Sequence, residues 1–185
     1  MKRHMRWALA PLAVLTLAAC GGDDGKSDGA TEPSSQTLAA TLKGDEAFGT
    51  LEQVLTNAGL TEVLEGTGPY TVFAPSDAAF TSTGSDSDFT TEAMRAPAAA
   101  LLRAHIVPGA LTRADIGAAI DSDGTGTVQM RTMADTLLSF TRDGDTIVVT
   151  APDGASAHLT GSEELAKNGV IQPIDALLIK PDPAA

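Results

Sequence analysis

Up to Asp121 the apolar residues of this chain recur every three or four positions; after it they come in short runs broken by turns. Leu38, Leu42, Phe48, Leu51, Val54 and Leu55 have the spacing of apolar helix faces. Met94, Leu101 and Leu102 form a second helical set, and Ile116 and Ile120 a third. Asp45 and Thr112 stand where helix caps belong, Asn57-Ala58-Gly59 reads as a stop, and Pro97 suits an early helical position whose N–H has no partner anyway. Beyond Asp121, residues 128–130, 137–140, 146–150 and 156–159 read as strands, divided by turn signals at Asp143-Gly144 and Pro152-Asp153-Gly154. Asn168-Gly169 precedes another strand-like run at 170–172, and Leu177-Leu178-Ile179 is predicted to close the domain as a last strand. Helices lead and strands follow, without regular strand–helix alternation. The fold class expected is therefore α+β, with N-terminal helices packed on a small sandwich or wedge of short strands.

One strand interrupts the helical half. In GPYTVFAPSDAAF, residues 68–80, an apolar run meets Pro75, and Ser76-Asp77 stand in front of Ala78-Ala79-Phe80. Proline has no N–H and is expected to end the ladder there. Ser76 or Asp77 can cap the helix that follows, and Phe80 is predicted to return to the core. Residues 70–74 would be a central strand whose alternate side chains meet both layers of the fold.

The two ends have a different character. Lys2, Arg3 and Arg6 precede an apolar stretch at residues 7–19, too short for the roughly 20 residues that span a bilayer as a helix. It ends in Leu17-Ala18-Ala19-Cys20, which resembles the bacterial lipobox, in which the cysteine is lipidated and the signal is cleaved just before it. Cys20 is the only cysteine, so no disulfide can form within one chain, and lipidation accounts for the odd thiol. The expected organisation is a signal peptide at 1–19, a lipidated Cys20 with a Gly/Ser/Asp-rich tether through 36, a folded domain at 37–182 and a tail at 183–185. Cleavage would remove three of the twelve basic residues and none of the twenty-four acidic ones, moving the net charge from −12 to −15. Such a surface repels phosphate backbones, which argues against nucleic-acid partners, and attachment to a membrane would come from acyl chains at Cys20.

Four segments together resemble the fasciclin-type domain, a secreted adhesion and matrix module. YTVFAPSDAAF is similar to that family's first signature and NGVIQPIDALLIKP, residues 168–181, to its second. His105-Ile106-Val107-Pro108-Gly109 resembles the central segment, and AFGTLEQVLTNAGL, residues 47–60, the opening helix pair. The resemblance spans residues 38–181 and implies that Thr71, Phe73, Pro75, Phe80, His105, Asn168, Gly169 and Asp175 are structural signature positions. Two positions depart from the pattern: Ala104 stands where the family often has Tyr before the central His, and Gln172 where the second signature often has His. In animal members the central Tyr-His region is tied to integrin recognition, and Ala104 removes the basis for carrying that route over.

Other candidate sites carry less. His105, with no cysteine or second histidine nearby, reads as a core or hydrogen-bonding residue. Gly154-Ala155-Ser156-Ala157-His158 lacks the final glycine of a nucleophile elbow and lies among strands. Asp121-Ser122-Asp123-Gly124-Thr125-Gly126 has the opening of a calcium loop, but Thr132 stands where the bidentate Glu is needed, so a solvated turn is expected. Glu62, Glu65, Glu163 and Glu164 read as helix-surface charges. Asp175, between two strand-like apolar segments, is expected to accept backbone or hydroxyl hydrogen bonds and hold the turn into the last strand. No phosphate loop, dinucleotide fingerprint or zinc-binding cysteine cluster is present in the sequence, so no metal, cofactor or catalytic residue is assigned. The function expected is that of a non-catalytic, lipid-anchored bacterial envelope protein, exported and held at the cell envelope, with the outer membrane as one placement, that binds a protein or glycan partner in adhesion or surface and matrix interactions; the alternative is an envelope small-molecule- or substrate-binding protein.

Overall fold

The computed structural model describes residues 33–82 and 88–180. Cys20, the residues before it and Pro181 lie outside them.

Helix α1, Leu38–Gly44, starts at Thr37, whose hydroxyl accepts the Ala40 N–H, and buries Leu38, Ala39 and Leu42. Asp45 caps a short 3-10 turn, Glu46–Phe48, which runs into α2, Gly49–Ala58, and α2 buries Leu51, Val54 and Leu55. The short α3, Thr61–Glu65, leads to strand β1, Tyr70–Pro75. Helix α4, Asp77–Ser82, follows at once, with Ser76 Oγ accepting the Ala79 N–H at 3.3 Å. Asp77 does not cap α4; its carboxylate accepts the Thr50 N–H at 2.8 Å and so ties the junction to the first turn of α2. Helix α5, Arg95–Ala104, is followed by strand β2, Ile106–Pro108, and by α6, Arg113–Ser122. Thr112 and Asp115 close α6 with a reciprocal capping box, which satisfies two otherwise orphaned N–H groups. The remaining strands are β3, Val128–Arg131, β4, Leu137–Asp143, β5, Thr146–Thr150, β6, Ser156–His158, β7, Glu164–Ala166, and β8, Gly169–Ile174.

Two four-stranded sheets result, an inner one ordered β2-β1-β8-β7 and an outer one ordered β3-β4-β5-β6. The outer sheet is antiparallel throughout, while β1 and β8 pair in parallel, Tyr70 opposite Gly169 and Phe73 opposite Gln172. β1 therefore lies at the centre of the inner sheet, and its alternation separates two cores. Val72 and Ala74 join Leu38, Leu51, Val54, Leu101 and Ile106 in a helix-backed core. Phe73 points the other way, into a core with Ile116, Leu138, Phe140 and Val149. There its ring meets that of Phe140 at a centroid distance of 5.3 Å and a 41° tilt, a contact joining the two sheets. An α+β arrangement of helices on small sheets is what the residue pattern predicts.

Several local expectations are corrected. The ladder does end at Pro75, but β1 includes it, one residue beyond the expected strand: Pro75 lies opposite Ile174, and the Ser76 N–H donates to Ile174 O at 3.3 Å. The N–H groups of Tyr70 and Ser76 turn toward the β8 side, so by alternation the N–H that Pro75 lacks would face away from β8 and its absence interrupts nothing on that side. Phe80 is only partly buried against the helix-backed core, and the fully buried residue of α4 is Ala79. Residues 177–179 form no strand. Leu177 enters one core and Leu178 the other, which an irregular segment allows at neighbouring positions. Glu164 lies on a strand, β7, and Glu163 just before it, so neither is a helix-surface charge.

Candidate functional site

The signature residues meet at the two ends of the β1–β8 pair. At the near end, Asn168 is buried with its side chain fully engaged: Oδ1 accepts the Leu38 N–H at 2.8 Å, and Nδ2 donates to Leu64 O at 2.8 Å and Gly66 O at 2.7 Å. One amide thus holds the start of α1 and the end of α3 against the turn into β8. The Asn168 carbonyl also accepts the Tyr70 N–H at 3.2 Å. Backbones approach so closely here that a Cβ on Gly169 would lie 1.9 Å from Tyr70 O, and one on Gly68 2.2 Å from Asn168 O. Glycine at both positions is a steric requirement.

His105 closes α5 and is 1% exposed. Its Nε2 accepts the Leu178 N–H at 2.9 Å and its Nδ1 lies 2.7 Å from Leu101 O. An acceptor at Nε2 leaves the proton on Nδ1, which donates to Leu101, so the ring is neutral with both nitrogens used. Burial pushes its pKa down from 6.5 to about 4, against the opposing pull of the Leu101 carbonyl. Thr71, also fully buried, donates to Gly109 O at 2.7 Å and accepts the Leu111 N–H at 2.9 Å, fastening the segment after β2. These groups fasten the chain to itself. None of them presents a free acid, base or nucleophile.

Asp175 accepts a backbone N–H, as expected, but it does so at the end of β8 and not at a turn into a later strand. Its side chain is 44% exposed, and it fastens the end of β8 to β6, with Oδ1 accepting the His158 N–H at 2.7 Å and Oδ2 2.9 Å from His158 Nδ1. Ser156, on the same strand, is exposed. In the Asp121–Gly126 segment, Asp123 turns its carboxylate onto the N–H groups of Thr125 and Thr127, at 3.0 and 3.4 Å, which makes a local turn. Among the described residues no group of three or more His, Cys, Asp or Glu side chains is placed to hold a metal ion.

Sequence reasoning missed one polar assembly. Gln172, with no exposure at all, donates to Leu111 O at 3.1 Å and to the Glu163 carboxylate at 2.7 Å, and accepts from Arg113 Nε at 3.1 Å. The guanidinium goes on to donate to the carbonyls of Gly161 and Thr160, and the Arg113 N–H donates to Glu163 at 2.7 Å. Partial burial lowers the Arg113 pKa, with the Glu163 charge opposing it. The assembly pins the start of α6 to the loop before β7. Its one sequence signal is a glutamine inside the apolar run Gly-Val-Ile-Gln.

Surface depressions are modest. The more apolar one, between α1 and α2, encloses about 220 Å³ and is lined by Ala39, Leu42 and Leu55 with Lys43, Glu52 and Glu65 at its rim. That is below the roughly 300 Å³ at which small-molecule pockets begin. A wider cleft of about 520 Å³ is lined by Gln36, Thr41, Asp45, Glu46 and Glu164, without a large apolar side chain. Burial, then the nearby Asp45 carboxylate, holds Glu164 above the usual carboxylate value.

Comparison with known proteins agrees with this architecture. Protein sll1483 of Synechocystis sp. is 30% identical over 161 residues, covering 84% of this chain and 79% of that protein. Human stabilin-1 is 32% identical over 148 residues, covering 79% of this chain but only 5% of its own length. Among solved structures, a domain pair from the insect cell adhesion molecule fasciclin I superposes with a TM-score of 0.68 at 18% identity, covering 78% of this chain and 51% of that one. Residues 46–180 match the family described as Fasciclin domain, and with that span reaching from the α2 turn to the end of the described chain, this protein belongs to the fasciclin domain family.

Proposed function

We propose that this chain is an exported bacterial lipoprotein that carries its fasciclin domain on a lipidated Cys20 and a short tether, and works as a non-catalytic adhesion module at the cell envelope. The observation that carries the reading is the use made of the signature polar groups. Asn168, His105 and Thr71 are spent on internal hydrogen bonds, so what the domain offers a partner is its outer surface. The family includes a protein whose structure is described as that of an insect cell adhesion molecule. Many copies anchored on one surface could hold a partner firmly although each binds weakly.

Two measurements test it together. Metabolic labelling with a fatty acid should mark the wild-type chain and not Cys20→Ser, which should leave unprocessed precursor or a soluble species. Cells displaying the wild-type chain should resist detachment under flow better than cells making the Ser variant at equal level. Label retained on Cys20→Ser sinks the anchor, and equal detachment sinks the adhesion role.

A further inference from the structure

The outer sheet has one face in the core and one in solvent. Leu138, Phe140, Ile147, Val149 and Ala157 point inward. By strand alternation Gln129, Ser139, Thr141, Val148, Thr150 and Ser156 point outward. The pairing register aligns four of these in one row across all four strands: Gln129 opposite Ser139, Ser139 opposite Thr150, and Thr150 opposite Ser156. Gln129 Nε2 donates to Ser139 Oγ at 3.2 Å, so the row is a physical one. A second row runs from Thr141 through Val148 to His158. Next to the first row stands Leu137, 39% exposed and the one exposed large hydrophobic residue among those described.

On a chain of net charge −12, the middle of this face carries no charge. The carboxylates near it stand at its margins: Asp135 paired with Arg131, Asp143 and Asp145 at the β4–β5 turn, Asp153 in the β5–β6 turn bonded to the Ala155 and Lys180 N–H groups, and Asp175 against His158. A chain of this charge repels polyanions, whereas an uncharged polymer meets no such barrier, and along the first row it meets no charged side chain to desolvate. Protein interfaces are anchored by aromatic or arginine side chains seated in pockets; the two rows contain neither, and Arg131 beside Leu137 at the edge of the face is paired with Asp135. The face is a good match for a chain of hydroxyls. Each Ser and Thr hydroxyl both donates and accepts, as a sugar hydroxyl does, and Gln129 adds a donor pair and an acceptor. Neighbouring strands lie ~4.8 Å apart, close to the length of one sugar unit in an extended chain, so successive sugars could meet successive strands.

We propose that the solvent-facing side of the β3–β6 sheet binds an uncharged polysaccharide laid across the strands along the Gln129–Ser139–Thr150–Ser156 row. This rests on the binding-module reading and names the partner's chemistry. Each site is weak by design of the surface, and the array of anchored copies supplies the holding strength.

Native electrophoresis of the full chain in gels with and without hydroxyethyl cellulose tests it, since retardation reports weak binding. The wild-type chain should be retarded by the neutral polymer and not by alginate, an acidic one. Thr150→Glu and Ser156→Glu, each checked for an unchanged melting temperature, should lose at least half of the retardation. Addition of cellohexaose to labelled wild-type protein should move amide resonances within residues 128–158, a readout that needs no variant. No retardation, equal retardation by alginate, variants retarded like wild type, or shifts confined to other segments each overturn the proposal. If cells still adhere through the chain to a protein-coated surface while the cellulose derivative fails to bind, the adhesion reading stands and the polysaccharide assignment falls.

Discussion

The inner sheet draws β2-β1-β8-β7 from chain segments about a hundred residues apart, whereas the outer sheet strings β3-β4-β5-β6 in sequence order. The two differ in how they are held as much as in how they are threaded. Among the described residues, four of the five buried polar ones, Thr71, His105, Asn168 and Gln172, belong to the inner sheet or the segments docked on it. The outer sheet has apolar side chains inward, polar ones outward and tight turns between. Distant segments need specific fasteners, because closing a long loop costs entropy that nonspecific burial repays in many competing registers. Neighbouring hairpins need only turn chemistry and alternation. The signature segments accordingly fall on the inner sheet and on the elements docked against it.

The comparison breaks if the inner sheet tolerates change. Gly169→Ala should have the largest effect, about 4 kcal/mol or more, because the new methyl group would overlap Tyr70 O and press Leu38 Cδ1 at 2.9 Å. A urea melt within about 1 kcal/mol of wild type would show that the β1–β8 junction can relax and that its close approach is not what holds the sheets in register.

His105 sharpens the same point through pH. Its folded pKa, about 4, lies below the ordinary 6.5, so between those values the unfolded chain binds a proton that the folded chain refuses. Stability should fall as pH drops from about 6.5 toward 4 and lose about 3 kcal/mol from this group at most, with no further loss from it below. Melts across that range on wild type and His105→Asn should differ in slope, the variant being flatter. Parallel slopes would mean that the ring is charged in the fold, against the Leu178 N–H it accepts.

Phe80→Ala should cost less than a core phenylalanine, about 1–2 kcal/mol against the 3–5 of a fully buried ring, since α4 rests on Ala79 and leaves Phe80 half covered. A loss above about 3 kcal/mol would put Phe80 in the core after all. Asp175→Ala should have the smallest effect, about 1 kcal/mol or less, because water can replace its bonds to the exposed His158. Loss of partner binding at unchanged stability would instead make the His158–Asp175 pair part of a binding surface.

What could be read from residues alone follows locality. The spacing of Leu51, Val54 and Leu55, the Thr112 cap, and the alternation of Leu138, Phe140, Ile147 and Val149 each depend on contacts within a few positions, and all appear in the fold. The signatures around Phe73 and Asn168 identified the family before any contact was known. What only the tertiary structure decided is where polar groups find distant partners. Asp77 reaches back to Thr50, Asn168 spans to Leu38, Leu64 and Gly66, and Gln172 meets Arg113 and Glu163. Residues 177–179 look like a strand in sequence yet run irregularly, because Leu177 and Leu178 are claimed by cores on opposite sides of the inner sheet. Periodicity records which face a side chain needs, while the partner of a buried polar atom depends on which segments the closed chain brings within hydrogen-bonding reach.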